Sequence, residues 1–236
     1  MAEMTDQAWM PRSRTSLTLP RWVIVLIVIC CLIEGTLALC DLTGTGFPVR
    51  MQGFGGLTYY VTLPVRQAVF AVLGFWSPQF HALHGVYPGQ PALMFFSYGL
   101  LHSGLAHLGM NMLSLAAVGR ELHRLIGARR MAVVYLVSQI AAALLFAVMK
   151  PDAGPMVGAS GAIFGLAGAL VAHAAVAGYR RQRPLGQLIR AVTILVVLNI
   201  VLTVAMPAIA WEAHLGGALA GLLMGVFTGI RATPRR

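Results

Sequence analysis

Apolar side chains run along this chain in long blocks that are separated by short polar clusters. A helix needs about 20 predominantly apolar residues to cross a bilayer. Six blocks approach that length: 22–39, 93–118, 131–149, 156–177, 188–206 and 214–230. The pattern predicts an all-α membrane protein built as a six-helix transmembrane bundle. Between the first two blocks lies the longest linker, 41–92, in which Gly53, Gly55, Gly56, Pro88 and Pro91 mark turns. Within it, Pro64-Val65-Arg66 leads into an apolar run through Phe70, Phe75 and Trp76. That run reads as a helix lying in the membrane interface or as a loop packed on the bundle, and the two are compatible. The first block reads as a retained helix and not a signal peptide, because its polar lead is long and Glu34 interrupts it.

Composition agrees with a lipid solvent. Hydrophobic residues make up 58% of the chain and charged residues 10%, against about a quarter charged in soluble domains. At 236 residues the length fits one compact domain. The formal charge of +10 is not gathered into a nucleic-acid-binding patch. Fourteen of the seventeen basic residues precede the first block, follow the last, or lie in the linkers after the second and fourth, counting Arg190 at the start of the fifth block. The other linkers carry only Arg50, Arg66 and Lys150. Basic loops stay cytoplasmic, so both termini are expected inside and the 41–92 linker outside. The expected organisation is a cytoplasmic tail at 1–21, a six-span membrane domain at 22–230, and a basic cytoplasmic tail at 231–236. Cys30, Cys31 and Cys40 form neither a disulfide framework nor a metal spacing. Leu39 stands where a lipidation box would need a small residue.

Polar side chains inside spans are costly and are functional candidates by default. Here they are His102, His107, Asn111, Ser160, His173, Asn199 and His214. The second, fourth and sixth spans all enter from the outside, so His107, Asn111, Ser160 and His214 should reach one depth near the outer face. Ser160 is flanked by Gly158 and Gly161, which permit a tight loop-to-helix turn and a close approach of substrate backbone. Taken alone, it reads first as an ordinary N-cap serine, the commonest use of serine at a helix start. His214 opens a stripe of Gly217, Gly221 and Gly225, and Gly161, Gly165 and Ala169 form a similar stripe behind Ser160. Such stripes let two helices approach closely, which would bring the serine to a base able to take its proton. His214 could equally be a packed, hydrogen-bonded histidine. His107 and Asn111 share one helix face and can both donate to a developing negative charge. His102, five positions earlier, lies roughly 140° around the helix and should point elsewhere. No carboxylate is placed to join these groups around a metal, and no His-Glu-x-x-His occurs. His81, His84 and His123 are expected to be solvated, and His173 and Asn199 to bond between helices.

Three of these segments carry a resemblance. His102-Ser103-Gly104-Leu105-Ala106-His107-Leu108-Gly109-Met110-Asn111, Gly158-Ala159-Ser160-Gly161, and Ala213-His214 with Gly217 and Gly221 occur in that order. Together they resemble the motifs of rhomboid intramembrane proteases over roughly 22–230. The resemblance implies an intramembrane serine endopeptidase with Ser160 as nucleophile and His214 as general base. His107, Asn111 and the Ser160 backbone N–H would form the oxyanion hole. It implies no cofactor and no metal. The partners would be the lipid bilayer and substrate helices of other membrane proteins. The location would be a bacterial inner membrane, with the site opening to the periplasmic side. The alternative is a catalytically weak rhomboid-like protein that binds membrane clients without cleaving them. Two positions depart from the family: Phe164 stands where many members have tyrosine, and Arg66 and Trp76 are not the adjacent Trp-Arg pair often found in the first outer loop.

Overall fold

The computed structural model describes residues 18–52, 58–180 and 210–231. In chain order these form α1 (Arg21–Thr43), β1 (Gly46–Gln52), β2 (Thr58–Pro64), α2 (Val65–Leu73), α3 (Ser77–Ala82), α4 (Gln90–Ser97), a 3₁₀ turn (Tyr98–Leu100), α5 (Leu105–Ile126), α6 (Ala128–Met149), α7 (Ser160–Arg180) and α8 (Trp211–Ile230). The fifth predicted span, 188–206, with Asn199, lies outside the described residues. Among the described residues four helices, α1, α6, α7 and α8, are long and apolar enough to cross a membrane. The chain is an all-α membrane protein, with one small hairpin.

The second predicted span requires correction. Its apolar run covers two structures: α4 with the 3₁₀ turn, and α5, which starts only at Leu105. Gly104, at φ +126°, separates them, a conformation that side-chain-bearing residues seldom adopt. Helix α5 then continues to Ile126 and takes in Arg120, Glu121 and Arg124. The hairpin was not expected either. β1 and β2 pair antiparallel from Gly46↔Pro64 to Gln52↔Thr58, and most of their side chains are exposed. A helix does form in the run after Pro64, α2, and Phe75 lies beyond it and is fully buried. Its ring contacts Phe80, Phe95, Tyr98 and Phe146, so it anchors the linker to the bundle instead of to lipid.

The centre of the fold is the seam between α7 and α8, the most extensive helix contact. A side chain added at Gly217 would strike the Gly161 carbonyl, one at Gly221 the Gly165 carbonyl, and one at Gly225 the Ala169 carbonyl. The two small-residue stripes therefore meet as the sequence predicts, backbone against backbone. Helix α6 covers the pair, with Ala141 and Ala142 against Gly216. Helix α5 packs on α7, and α1 on α5. The N-termini of α5, α7 and α8 gather at one end, with the C-terminal ends of α1 and α6. At the opposite end His173 Nδ1 lies 3.1 Å from Thr228 Oγ1, and Arg180 donates to the Ile230 carbonyl at 2.6 Å. His173 thus bonds between helices as expected. His81 is exposed as expected, and its Nε2 also sits 3.0 Å from the Ala147 carbonyl and ties α3 to α6. His123 Nδ1, 3.3 Å from the Thr18 carbonyl, is tied in the same way.

Candidate active site

Helix α7 begins at Ser160 itself. The loop before it is held from two sides. Met156 and Phe75 exchange both backbone hydrogen bonds, at 2.8 and 3.0 Å, and the Gly158 N–H donates to the Tyr98 carbonyl at 2.9 Å. Tyr98 is in turn fixed by its hydroxyl, which donates to the Gln139 carbonyl at 2.8 Å. Gly158 has φ +121°, so the chain turns sharply into the helix where only glycine is unstrained. The first N–H groups of α7 have no partner within the helix, and its dipole favours negative charge there.

His214 lies in the first turn of α8 and is buried. Its Nε2 is 2.8 Å from Ser160 Oγ. The Phe164 ring stacks on the imidazole, with centroids 4.3 Å apart and planes 15° from parallel. The position where the resemblance places tyrosine thus keeps its aromatic stack with phenylalanine. Among the described residues, His214 Nδ1 has no hydrogen-bond partner. A serine hydroxyl with an imidazole nitrogen at this distance can pass its proton and become a nucleophile.

His107 approaches from α5. A Cβ placed on Gly158 would lie 3.1 Å from His107 Nε2 and 3.8 Å from Ser160 Oγ, so the imidazole edge and the hydroxyl flank the same α-carbon. At the other side of the ring, the Ser103 backbone N–H donates to His107 Nδ1 at 3.3 Å, and Ser103 Oγ is 3.0 Å away. A neutral ring whose Nδ1 accepts carries its proton on Nε2, the nitrogen that faces the nucleophile. Asn111 sits one turn further on and donates through Nδ2 to the His107 carbonyl at 3.0 Å. The second N–H of that amide is what it can offer an anion.

Ser160, His214 and His107 therefore meet, and Asn111 joins them through His107. His102 corrects the sequence reading. It precedes α5, so the helical-wheel angle does not apply, and its ring lies 5.3 Å from that of His107. Ser103 and Glu212 escaped the sequence reading. Ser103 is four residues before His107, a spacing at which a polar side chain ahead of a helix reaches into its first turn. Glu212, buried in the first turn of α8, lies 3.5 Å from Lys150 Nζ and links α6 to the start of α8. Among the described residues no three His, Cys, Asp or Glu side chains gather as metal ligands.

Comparison with known proteins bears on this site. The family model described as the Rhomboid domain matches residues 90–231. The chain is 33% identical over 131 residues to "Rhomboid protease GluP" of Bacillus subtilis, covering 56% of this chain and 25% of that protein. It is 33% identical over 146 residues to "RHOMBOID-like protein 4" of Arabidopsis thaliana, covering 62% of this chain and 36% of that protein. "Rhomboid-type serine protease 2" of Emericella nidulans is 33% identical over 129 residues, covering 53% of this chain and 25% of that protein. The chain spans about a quarter to a little over a third of the lengths of these relatives.

Proposed function

Since the chain belongs to the rhomboid family, we propose that it is an intramembrane serine endopeptidase that cleaves other membrane proteins by acyl transfer to Ser160. The observation that carries this reading is the 2.8 Å contact between His214 Nε2 and Ser160 Oγ. Ser160 Oγ attacks the scissile carbonyl while its proton passes to His214 Nε2. The oxygen of the tetrahedral intermediate takes its negative charge among His107 Nε2–H, the free Asn111 N–H and the Ser160 backbone N–H. The C–N bond then breaks, and His214 returns the proton to the leaving amine. Water, deprotonated by the same imidazole, hydrolyses the acyl-enzyme.

We place a six-span membrane domain at 22–230, with both the 1–21 and 231–236 tails cytoplasmic. The distribution of arginines supports that orientation, and it opens the site to the outer, periplasmic side of a bacterial inner membrane. A substrate helix must unwind locally, because helical amides are closed to attack. Small or helix-breaking residues are therefore expected near the cut.

A fluorophosphonate probe tests the reading. The purified protein should be labelled, with labelling abolished in Ser160→Ala and sharply reduced in His214→Ala. Labelling that survives Ser160→Ala would falsify it. A protein that binds clients without cutting them would leave the probe unreacted.

A further inference from the structure

Among the described residues of the linker between α1 and α5, Arg66 is a strongly held cation. It opens α2 and reaches Glu34, which lies within α1 and is fully buried. Its Nη1 and Nη2 donate to the two Glu34 carboxylate oxygens at 2.9 and 2.8 Å. Its Nε donates to Asp41 Oδ2 at 2.6 Å. A buried carboxylate demands such a partner, since an unpaired charge at that depth is strongly destabilising. The hydrogen bonds that Arg66 donates, to Glu34 above all and then to Asp41, raise its pKa above its already high ordinary value.

One further contact goes beyond charge pairing. Arg66 Nη1 also donates to the His102 carbonyl at 2.9 Å. That carbonyl and the Ser103 N–H belong to one planar peptide group. Its N–H end is the donor that holds His107 Nδ1. A cation bound at the oxygen fixes the plane of the peptide and, by polarising it, strengthens the N–H as a donor. Hydrogen bonds thus run without a break from Glu34 through Arg66 and the 102–103 peptide to the imidazole beside Ser160.

We propose that Arg66, anchored by Glu34, is a positioning residue that sets His107 in place as an oxyanion donor through the His102–Ser103 peptide. The proposal rests on the protease reading above. It assigns a catalytic purpose to a charge pair that would otherwise serve only to join α1 and α2. Asp41 holds Arg66 from the half-exposed side and has no route to the peptide.

The test is the rate of fluorophosphonate labelling in the full chain, separated into the maximal rate kinact and the half-saturating concentration KI. Ser160 Oγ displaces fluoride from phosphorus, so the phosphoryl oxygen must occupy the oxyanion site. Arg66→Gln should lower kinact by about 10- to 100-fold with KI within about twofold, the size expected when a reacting geometry slips by about 1 Å. The deciding measurement is the cycle with His107→Ala. In that background Arg66→Gln should cause no further loss, because the donor it positions is gone. Should Arg66→Gln fail to fold, Arg66→Lys retains a charge against Glu34 but lacks the fork that also reaches His102. It should show the same dependence on His107 at smaller amplitude. Asp41→Asn should label within about twofold of the unaltered chain. Losses that multiply in the double variant, a change confined to KI, or unaltered labelling in His107→Ala would each overturn the proposal. None of these outcomes touches the assignment of Ser160, which stands or falls on Ser160→Ala.

Discussion

The two histidines that reach Ser160 are held in opposite ways. His214 arrives on a seam where α7 and α8 touch backbone to backbone, with glycine facing carbonyl at three successive levels. Nothing adjustable lies in that contact. His107 arrives behind a four-residue connection, 101–104, and its ring is set by a peptide group, a serine and, at one remove, an arginine. One side is fixed by steric exclusion and the other by directional hydrogen bonds. Damage to the first should be abrupt and structural, and damage to the second graded and chemical.

The largest effect should come from breaking the seam. Gly217→Val drives a branched side chain into the Gly161 carbonyl, where no flexible neighbour can yield. Overpacking of this kind costs about 1–3 kcal/mol even where side chains can shift, and here only backbone can. Folded protein recovered from detergent, measured by size exclusion, should fall together with labelling. Gly158→Ala lies between the two sides. Its Cβ would sit 2.9 Å from His107 Cε1, on a backbone at φ +121°. The chain should still fold, yet labelling should drop by about 100-fold as the imidazole is pushed off. Labelling that keeps its rate in a folded Gly158→Ala chain would show that His107 does not need to stand where it does.

Smaller losses sharpen the contrast. Phe164→Ala removes the ring stacked on His214. An aromatic pair contributes about 0.5–1.5 kcal/mol, so the labelling rate should fall by about 3- to 10-fold. The seam keeps the base near Ser160 in that variant, and a total loss would mean that stacking, not the seam, places it. Ser103→Ala deletes the hydroxyl beside His107 Nδ1 but leaves the backbone N–H. The loss of one hydrogen bond of about 1 kcal/mol predicts a fall of roughly fivefold.

The steric side was far more legible in the sequence than the hydrogen-bonded side. Glycines recurring every fourth residue announce a helix seam by their spacing alone, and Gly217, Gly221 and Gly225 meet the partners the spacing named. The stack of Phe164 on His214 is what the family resemblance implies for the position four residues after Ser160. The support of His107 follows no period. Arg66 is 32 residues from Glu34 and 36 from the His102 carbonyl, and no local pattern joins them. Hydropathy also merged two elements into the 93–118 block, because it weighs apolarity and is blind to the left-handed turn at Gly104. That merger placed His102 on a helix it does not belong to, and so turned it away from His107. For Phe75 the sequence left both an interfacial helix and a loop packed on the bundle open, since an aromatic ring suits a bilayer interface and a protein core equally well, and its burial follows the second. The hairpin could have been anticipated: Thr58-Tyr59-Tyr60-Val61-Thr62 is rich in strand-forming residues and follows a cluster of glycines.

The seam has a consequence for heat. Where two helices meet through side chains, warming frees rotamers and lets the helices drift before they part. Between Gly217 and Gly161, and between Gly221 and Gly165, there is no rotamer to free. The backbones that carry Ser160 and His214 thus have no soft coordinate between them, and should stay together until the helices themselves come apart.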